Sequence, residues 1–197
     1  MLKVSFIVPA ACLIAAACTG RAENVDADSP AVKAPVTIDT TAAPPPAGTP
    51  ATWAVSPSGI GTVRVGASLD ELKTAAGDVT VPAAGGDCHY VRGGSLPSGV
   101  SVMLARNVVA RVDIDSGGVT TAEGVGVGDP DSRVNDAYAG RVTAMPHKYV
   151  QGAQYLTVKG ASPADSTHRI VFEVEKGRVA RFRAGRVPEV ECVERCG

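Results

Sequence analysis

Ile170-Val171-Phe172-Glu173-Val174-Glu175-Lys176-Gly177-Arg178-Val179-Ala180-Arg181-Phe182-Arg183-Ala184 is the stretch that decides the fold. Ile170, Phe172 and Val174 recur at every second position, and so do Ala180, Phe182 and Ala184. A period of two marks a strand with one buried face. The two runs read as a hairpin with Gly177 in its turn. Putting both apolar sets on one side of the sheet requires an odd loop, Glu175-Lys176-Gly177. A three-residue loop ends in a left-handed residue, where glycine has no Cβ to clash.

The same unit is legible upstream. Val109-Ala110-Arg111 reappears as Val179-Ala180-Arg181, a register that places Asn107 where Gly177 stands. Asn is the next residue to tolerate a left-handed backbone. Val100, Val102 and Leu104 lead into that turn, and Val108, Ala110, Val112 and Ile114 lead out. Each hairpin is preceded by a glycine-punctuated opening, Gly59-Ile60-Gly61-Thr62-Val63-Arg64-Val65-Gly66 and Gly124-Val125-Gly126-Val127-Gly128. A helix start follows each opening. Ser68-Leu69-Asp70-Glu71 is a capping box, and Asp129-Pro130 places an N-cap before a first-turn proline. Leu69, Leu72, Ala75 and Ala76, then Val134, Ala137 and Tyr138, carry the helical spacing, with Gly77 and Gly140 as C-terminal stops.

Cys88-His89-Tyr90-Val91, Tyr149-Val150 and Tyr155-Leu156-Thr157-Val158 supply the remaining strands, and the extra residues of the second copy fall between Gly160 and Thr167. The expected fold class is therefore α+β: two tandem copies of a short helix plus an antiparallel hairpin, helices on one face. Copy one spans about 59–116 and copy two about 122–191, inside a domain of residues 53–197. Val65-Gly66-Ala67-Ser68-Leu69-Asp70-Glu71-Leu72 and Val127-Gly128-Asp129 resemble the repeat openings of the beta-lactamase-inhibitor protein. A single copy is similar to the small outer-membrane lipoprotein of the barrel-assembly machinery.

The N-terminal residues read as an address. Lys3 precedes an apolar run, Val4 to Ala17, interrupted by Ser5 and Pro9. A membrane-crossing helix needs about 20 apolar residues, so this run fits the h-region of a signal peptide instead. Ala15-Ala16-Ala17-Cys18 resembles the lipobox of bacterial lipoproteins, which implies a signal peptide over residues 1–18 and lipid attachment at Cys18. Thr19 after that cysteine implies, by the same resemblance, the outer membrane, with the domain facing the periplasm. Cleavage as an ordinary A-x-A site, leaving a soluble periplasmic or secreted protein, is the alternative. Residues 19–52, with Ala42-Ala43-Pro44-Pro45-Pro46 at their centre, hold almost no large apolar side chain. Such a segment cannot offset its ordering entropy and reads as a disordered, proline-stiffened tether.

Formal net charge is −1 and charged residues make up 20% of the chain, so no basic field calls for nucleic acid. In an exported protein thiols pair. Cys88, Cys192 and Cys196 remain after the anchor, and a Cys88–Cys196 bond would tie both copies together, with Cys192 free or the alternative partner. No metal and no cofactor is expected, since the cysteines and His89, His147 and His168 fall at no ligand spacing. No nucleophile elbow, HExxH or Walker sequence occurs, and Cys88 and His89, as neighbours on a strand, point to opposite faces.

One row of side chains stands out as a candidate binding face. With Ala180 and Phe182 inward, Arg181 and Arg183 face outward, Arg111 is equivalent in copy one, and Arg178 and Arg186 flank them. Guanidinium rows grip carboxylates or phosphates bidentately. They also pair diagonally with Glu173 and Asp113 on an ordinary solvated sheet face. The function these readings support is a non-enzymatic, membrane-tethered envelope module that binds a protein or envelope component. A hydrolase inhibitor of the lactamase or lysozyme type is the alternative, and an enzyme using Asp113 and Asp115 ranks last. Oligomeric state is left open.

Overall fold

The computed structural model describes residues 53–83 and 86–196, so the expected signal peptide, lipid site at Cys18 and tether lie outside the described residues. Three two-residue strands, β1 (Val55–Ser56), β2 (Gly59–Ile60) and β3 (Val63–Arg64), form a small antiparallel sheet. Helix α1 (Leu69–Ala76) follows, then β4 (Val79–Thr80), β5 (Cys88–Gly93), β6 (Val100–Ala105) and β7 (Val108–Ile114). Helix α2 (Asp131–Ala137) leads to β8 (Val142–Pro146), β9 (Gln154–Lys159), β10 (His168–Glu175) and β11 (Arg178–Arg186).

These last eight strands make one sheet in the order β4-β5-β6-β7-β11-β10-β9-β8. This corrects the expected α+β tandem of helix-plus-hairpin units: the fold is mostly β, with two short helices. The physical cause lies at the seam between β7 and β11. Phe182 pairs with Ile114 and Ala184 with Val112, so the apolar faces of the two hairpins merge into a single sheet. The helices are too short to act as a covering layer. Helix α1 buries only Leu72 and Ala76, and α2 only Val134.

The core lies on one face of this sheet. Val102, Val112, Phe172 and Phe182 meet Leu72, Val134 and Tyr138 there, closed at one end by Val55, Ile60 and Val63 of the small sheet. Phe182 stacks on Phe172 at 5.3 Å between ring centres. The small sheet has no counterpart after Gly124, where a lone bridge between Thr120 and Gly126 takes its place. Gly66 and Gly128 play matching parts. Their N–H groups donate to the Val109 and Val179 carbonyls, both at 2.8 Å, so the glycines bring backbone against the sheet.

The capping box at Ser68 and Glu71 is present in full. The second helix start is displaced: Pro130, not Asp129, is the N-cap, and the Asp129 carboxylate accepts from the Gly126 N–H at 2.8 Å. The turns also differ from the parity argument. Lys176 (φ 52°) and Gly177 (φ 73°) form a two-residue turn with both residues left-handed, and Arg106 (φ 52°) and Asn107 (φ 59°) do the same. The odd residue sits instead in a bulge, where pairing shifts from Val174–Val179 to Glu173–Arg181 and from Leu104–Val109 to Met103–Arg111. Tyr149 and Val150 belong to the loop between β8 and β9 rather than to a strand. Among the described residues no helix is long and apolar enough to cross a membrane.

Candidate functional site

The face of the sheet opposite the helices carries the arginines, but it is not open. After β11 the chain turns back and runs across this face as a strap, Val187 to Cys196. Val190 is fully buried against Tyr155 and Val171, with Val187 and Val193 packed beside them in a second apolar cluster. The strap ends at the Cys88–Cys196 disulfide, whose Cα atoms are 5.4 Å apart. Cys192 is an exposed free thiol.

Arg111 lies under the strap, only 1% exposed. Its Nε and Nη2 donate to the Asp113 carboxylate at 2.9 and 2.7 Å, and Nη2 also to the Tyr90 hydroxyl at 2.9 Å. Its Nη1 donates to the strap carbonyls of Glu189 and Cys192 at 2.9 and 2.8 Å. A guanidinium has five N–H groups, and here all are engaged. Burial works against the charge on Arg111, but the hydrogen bond and charge of Asp113 more than offset it and raise its pKa. Burial, then the Asp113 charge, also holds the Tyr90 hydroxyl far above the usual phenol range, so Tyr90 stays a donor to Asp113.

Arg183 is 4% exposed, donates from Nε to the Val190 carbonyl at 2.6 Å, and pairs through Nη1 with Glu173. Burial lowers its pKa and the Arg111 charge lowers it further, opposed by Glu173. Of Arg111, Arg181 and Arg183, Arg181 alone is solvent-facing, with Glu173 at 3.6 Å and Glu175 at 3.8 Å. The expected binding trio is thereby divided. Arg111 and Arg183 hold the strap down, and only Arg181 is left in reach of a ligand. Asp113 is held by Arg111, and Asp115 by Arg195 of the strap at 2.5 Å. The ring nitrogens of His89, on the opposite face of β5 from Cys88, find no hydrogen-bond partner among the described residues.

A polar cavity of about 160 Å³ remains between sheet and strap, lined by both charge networks and by His147. Beside it a second groove, of about 600 Å³, opens between the strap and strands β8 and β9. Met145, Tyr155, Val171 and Val193 give it an apolar floor, and Lys148, Lys159 and Arg169 stand at its rim with Glu191. Arg169 and Glu191 are 3.7 Å apart and Lys148 bonds Glu194 at 3.0 Å; Lys159 has no salt bridge among the described residues.

His147 shapes the loop between β8 and β9, whose Lys148 borders this groove and whose Tyr149 and Val150 line the polar cavity. Its ring stacks on Tyr155 at 4.4 Å, and its Nδ1 accepts the backbone N–H groups of Tyr149 and Val150, each at 3.1 Å. That acceptor role leaves the proton on Nε2, which faces Glu173 at 3.7 Å. The loop so held leaves Tyr149 61% exposed, with its hydroxyl donating to Glu194 of the strap, and Met145 on β8 is 57% exposed. Among the described residues no group of three or more His, Cys, Asp or Glu is placed to hold a metal ion.

The sequence pattern missed the strap and therefore this groove. The signal available was the outer face itself: Val171 and Tyr155 sit among charged neighbours and need an apolar cover, which Val190 and Val193 supply. No family model matches the chain, and no curated protein matches it. One solved structure is similar to it, that of the uncharacterized protein yfeY from Escherichia coli, at 16% identity over 68% of this chain and 99% of that one, with a TM-score of 0.35.

Proposed function

We propose that the chain is an envelope module, held to a membrane by lipid at Cys18 and a spacer over residues 19–52, that binds a protein partner and does no chemistry on it. The observation that carries this reading is the placement of exposed apolar surface. Met145, Tyr149 and Val150 are three of the four large hydrophobics exposed among the described residues, and all stand at the β8–β9 corner. Large apolar groups gathered at one spot and ringed by charge mark an interaction surface. His147, stacked on Tyr155 and accepting two loop N–H groups, fixes that corner, so little ordering is left for a partner to impose.

Cross-linking from intact envelopes tests the reading. One reproducible protein partner is expected, and Met145→Lys with Tyr149→Ser is expected to lose it while the domain stays folded. A partner retained by that double variant removes the corner from the account. Globomycin should cause unprocessed precursor to accumulate; normal processing in its presence would remove the lipid at Cys18. Tight inhibition of a lactamase or lysozyme by the isolated domain would replace the reading with the inhibitor one.

A further inference from the structure

We propose that the partner enters as an extended, acidic polypeptide segment that adds a strand to the free edge of β8. The inference rests on the binding-module reading above and names the mode and chemistry of its partner.

Among the described residues, strand β8 ends the large sheet and pairs only with β9. The Lys159 N–H donates to the Arg141 carbonyl at 3.1 Å, and the His147 N–H to the Ala153 carbonyl at 3.0 Å. In an antiparallel pair, residues alternate between bonding their partner and facing away from it. With Thr143 opposite Thr157 and Met145 opposite Tyr155, the inward set is Arg141, Thr143, Met145 and His147. Val142 and Ala144 therefore aim both N–H and C=O out of the sheet, and Pro146 its C=O alone. Natural proteins cover, shorten or charge such edges. The opposite edge, β4, is two residues long, whereas β8 offers five residues and is exposed from Thr143 to Pro146.

An added strand sends alternate side chains to the two faces. On the outer face they meet the 600 Å³ groove with its Met145 and Val171 floor. On the other face they meet a shallower hollow of about 480 Å³, formed by Ala144, Pro146, Gly152 and Gln154. The rim decides the charge of the occupant. Lys148, Lys159 and Arg169 face a single lining carboxylate, Glu191, and Lys159 has no salt bridge among the described residues. A carboxylate on the incoming segment completes that rim. A second copy of this chain fits badly, because its own β8, Val142–Pro146, brings no carboxylate to set against the open Lys159.

The test is selection of binders to the disulfide-bonded domain from a displayed library of random linear peptides, followed by synthesis of the enriched sequence. Enrichment in Asp or Glu with an apolar residue at every second position is expected. Ala144→Pro removes an outward N–H without touching the β9 pairing, and Lys159→Glu reverses the open cation; each should weaken the peptide about tenfold. Lys73→Glu, on exposed helix α1, should leave affinity unchanged. Should Ala144→Pro fail to fold, alternate N-methylation of the peptide gives the same reading: one set of methyls abolishes binding and the other is tolerated. Neutral or basic binders, no binders, or binders indifferent to Ala144→Pro and to both methylation sets overturn the proposal. So does a domain dimer that Ala144→Pro dissociates. An envelope partner lost with Met145→Lys but kept with Ala144→Pro sinks the strand mode alone; a partner kept by both variants sinks the docking corner as well.

Discussion

Arg111 and Asp113 lie two residues apart on the same face of β7 and form a two-point ion pair, Nε to Oδ2 at 2.9 Å and Nη2 to Oδ1 at 2.7 Å. Their side chains are 2% and 7% exposed, and the strap carbonyls of Glu189 and Cys192 close the guanidinium from above. Removing one partner of such a pair strands a buried charge, which costs about 3–5 kcal/mol, whereas replacing both with apolar groups is close to neutral. Arg111→Met should therefore destabilise the domain by about that amount in urea unfolding. Arg111→Met with Asp113→Leu should regain most of it. Both variants should speed amide exchange at Val190 and Glu191, whose N–H groups donate to the Arg186 and Pro188 carbonyls, because the strap loses two carbonyl anchors in each. A double variant no more stable than the single would show that the pair is not the unit holding this face.

The Cys88–Cys196 bond is a second, independent anchor for the same strap. It joins residues 108 apart in sequence. A closed loop of that size stabilises by about 4–5 kcal/mol in the chain-entropy model. Cys88→Ser with Cys196→Ser should lower stability by an amount of this order and leave the sheet intact. The Arg195–Asp115 and Arg111 contacts remain in that variant, so trypsin should open the C-terminal residues before it attacks the sheet. Simultaneous loss of sheet and strap would mean that the bond holds the whole domain.

Strand alternation was enough to place the core. Ile170, Phe172 and Ala184 are all fully buried, and their period of two shows which face of the sheet is which. Local glycine and capping chemistry was equally readable, because the Ser68 box and the left-handed residues at Asn107 and Gly177 involve neighbours in the chain. Pairing between distant strands was not. Nothing local to Ile114 or Phe182 says that β7 lies against β11, and that contact is what turns two hairpins into one sheet. The arginine face failed for a related reason. Alternation correctly put Arg111 and Arg183 opposite the core, but whether an outward residue meets water depends on what crosses over it. Here a segment with no periodicity, Val187 to Cys196, does the crossing.

The β7–β11 seam depends on a glycine for a reason separate from backbone freedom. Gly185 pairs with Arg111, and a Cβ on it would lie 2.8 Å from the Arg111 Cα and collide with the Ala110 carbonyl. Gly185→Ala should force the two strands apart, at a cost of about 1–3 kcal/mol from overpacking. Gly177→Ala offers the contrast, since its Cβ would meet nothing within 4 Å and only the φ of 73° is strained. It should cost about 1 kcal/mol and leave the seam untouched. Thermal unfolding ranks the two, and exchange at Val112 and Ala184 should rise in the first variant alone. Equal exchange in both would remove the seam from the explanation.

Three phenols drawn out of water give the domain an alkaline limit; for Tyr155 the cause is burial first, then the Glu173 charge. Burial first, then the Asp113 charge, raises the Tyr90 pKa, and burial followed by the hydrogen bond to Glu123 raises that of Tyr138. A group whose pKa is raised on folding keeps its full contribution below its unfolded value and loses it as pH climbs toward the folded one. Tyrosine in an unfolded chain ionises near pH ~10. Stability should hold up to about that pH and then fall, because above it the unfolded chain can release three protons that the folded one retains. Tyr138→Phe should lower stability somewhat at neutral pH, through loss of the Glu123 bond, yet flatten the alkaline decline by removing one of the three protons. Urea midpoints across the alkaline range check the slope, and tyrosinate absorbance checks that these three phenols ionise only as the domain opens. An unchanged slope in Tyr138→Phe would mean that groups other than these phenols set the alkaline limit.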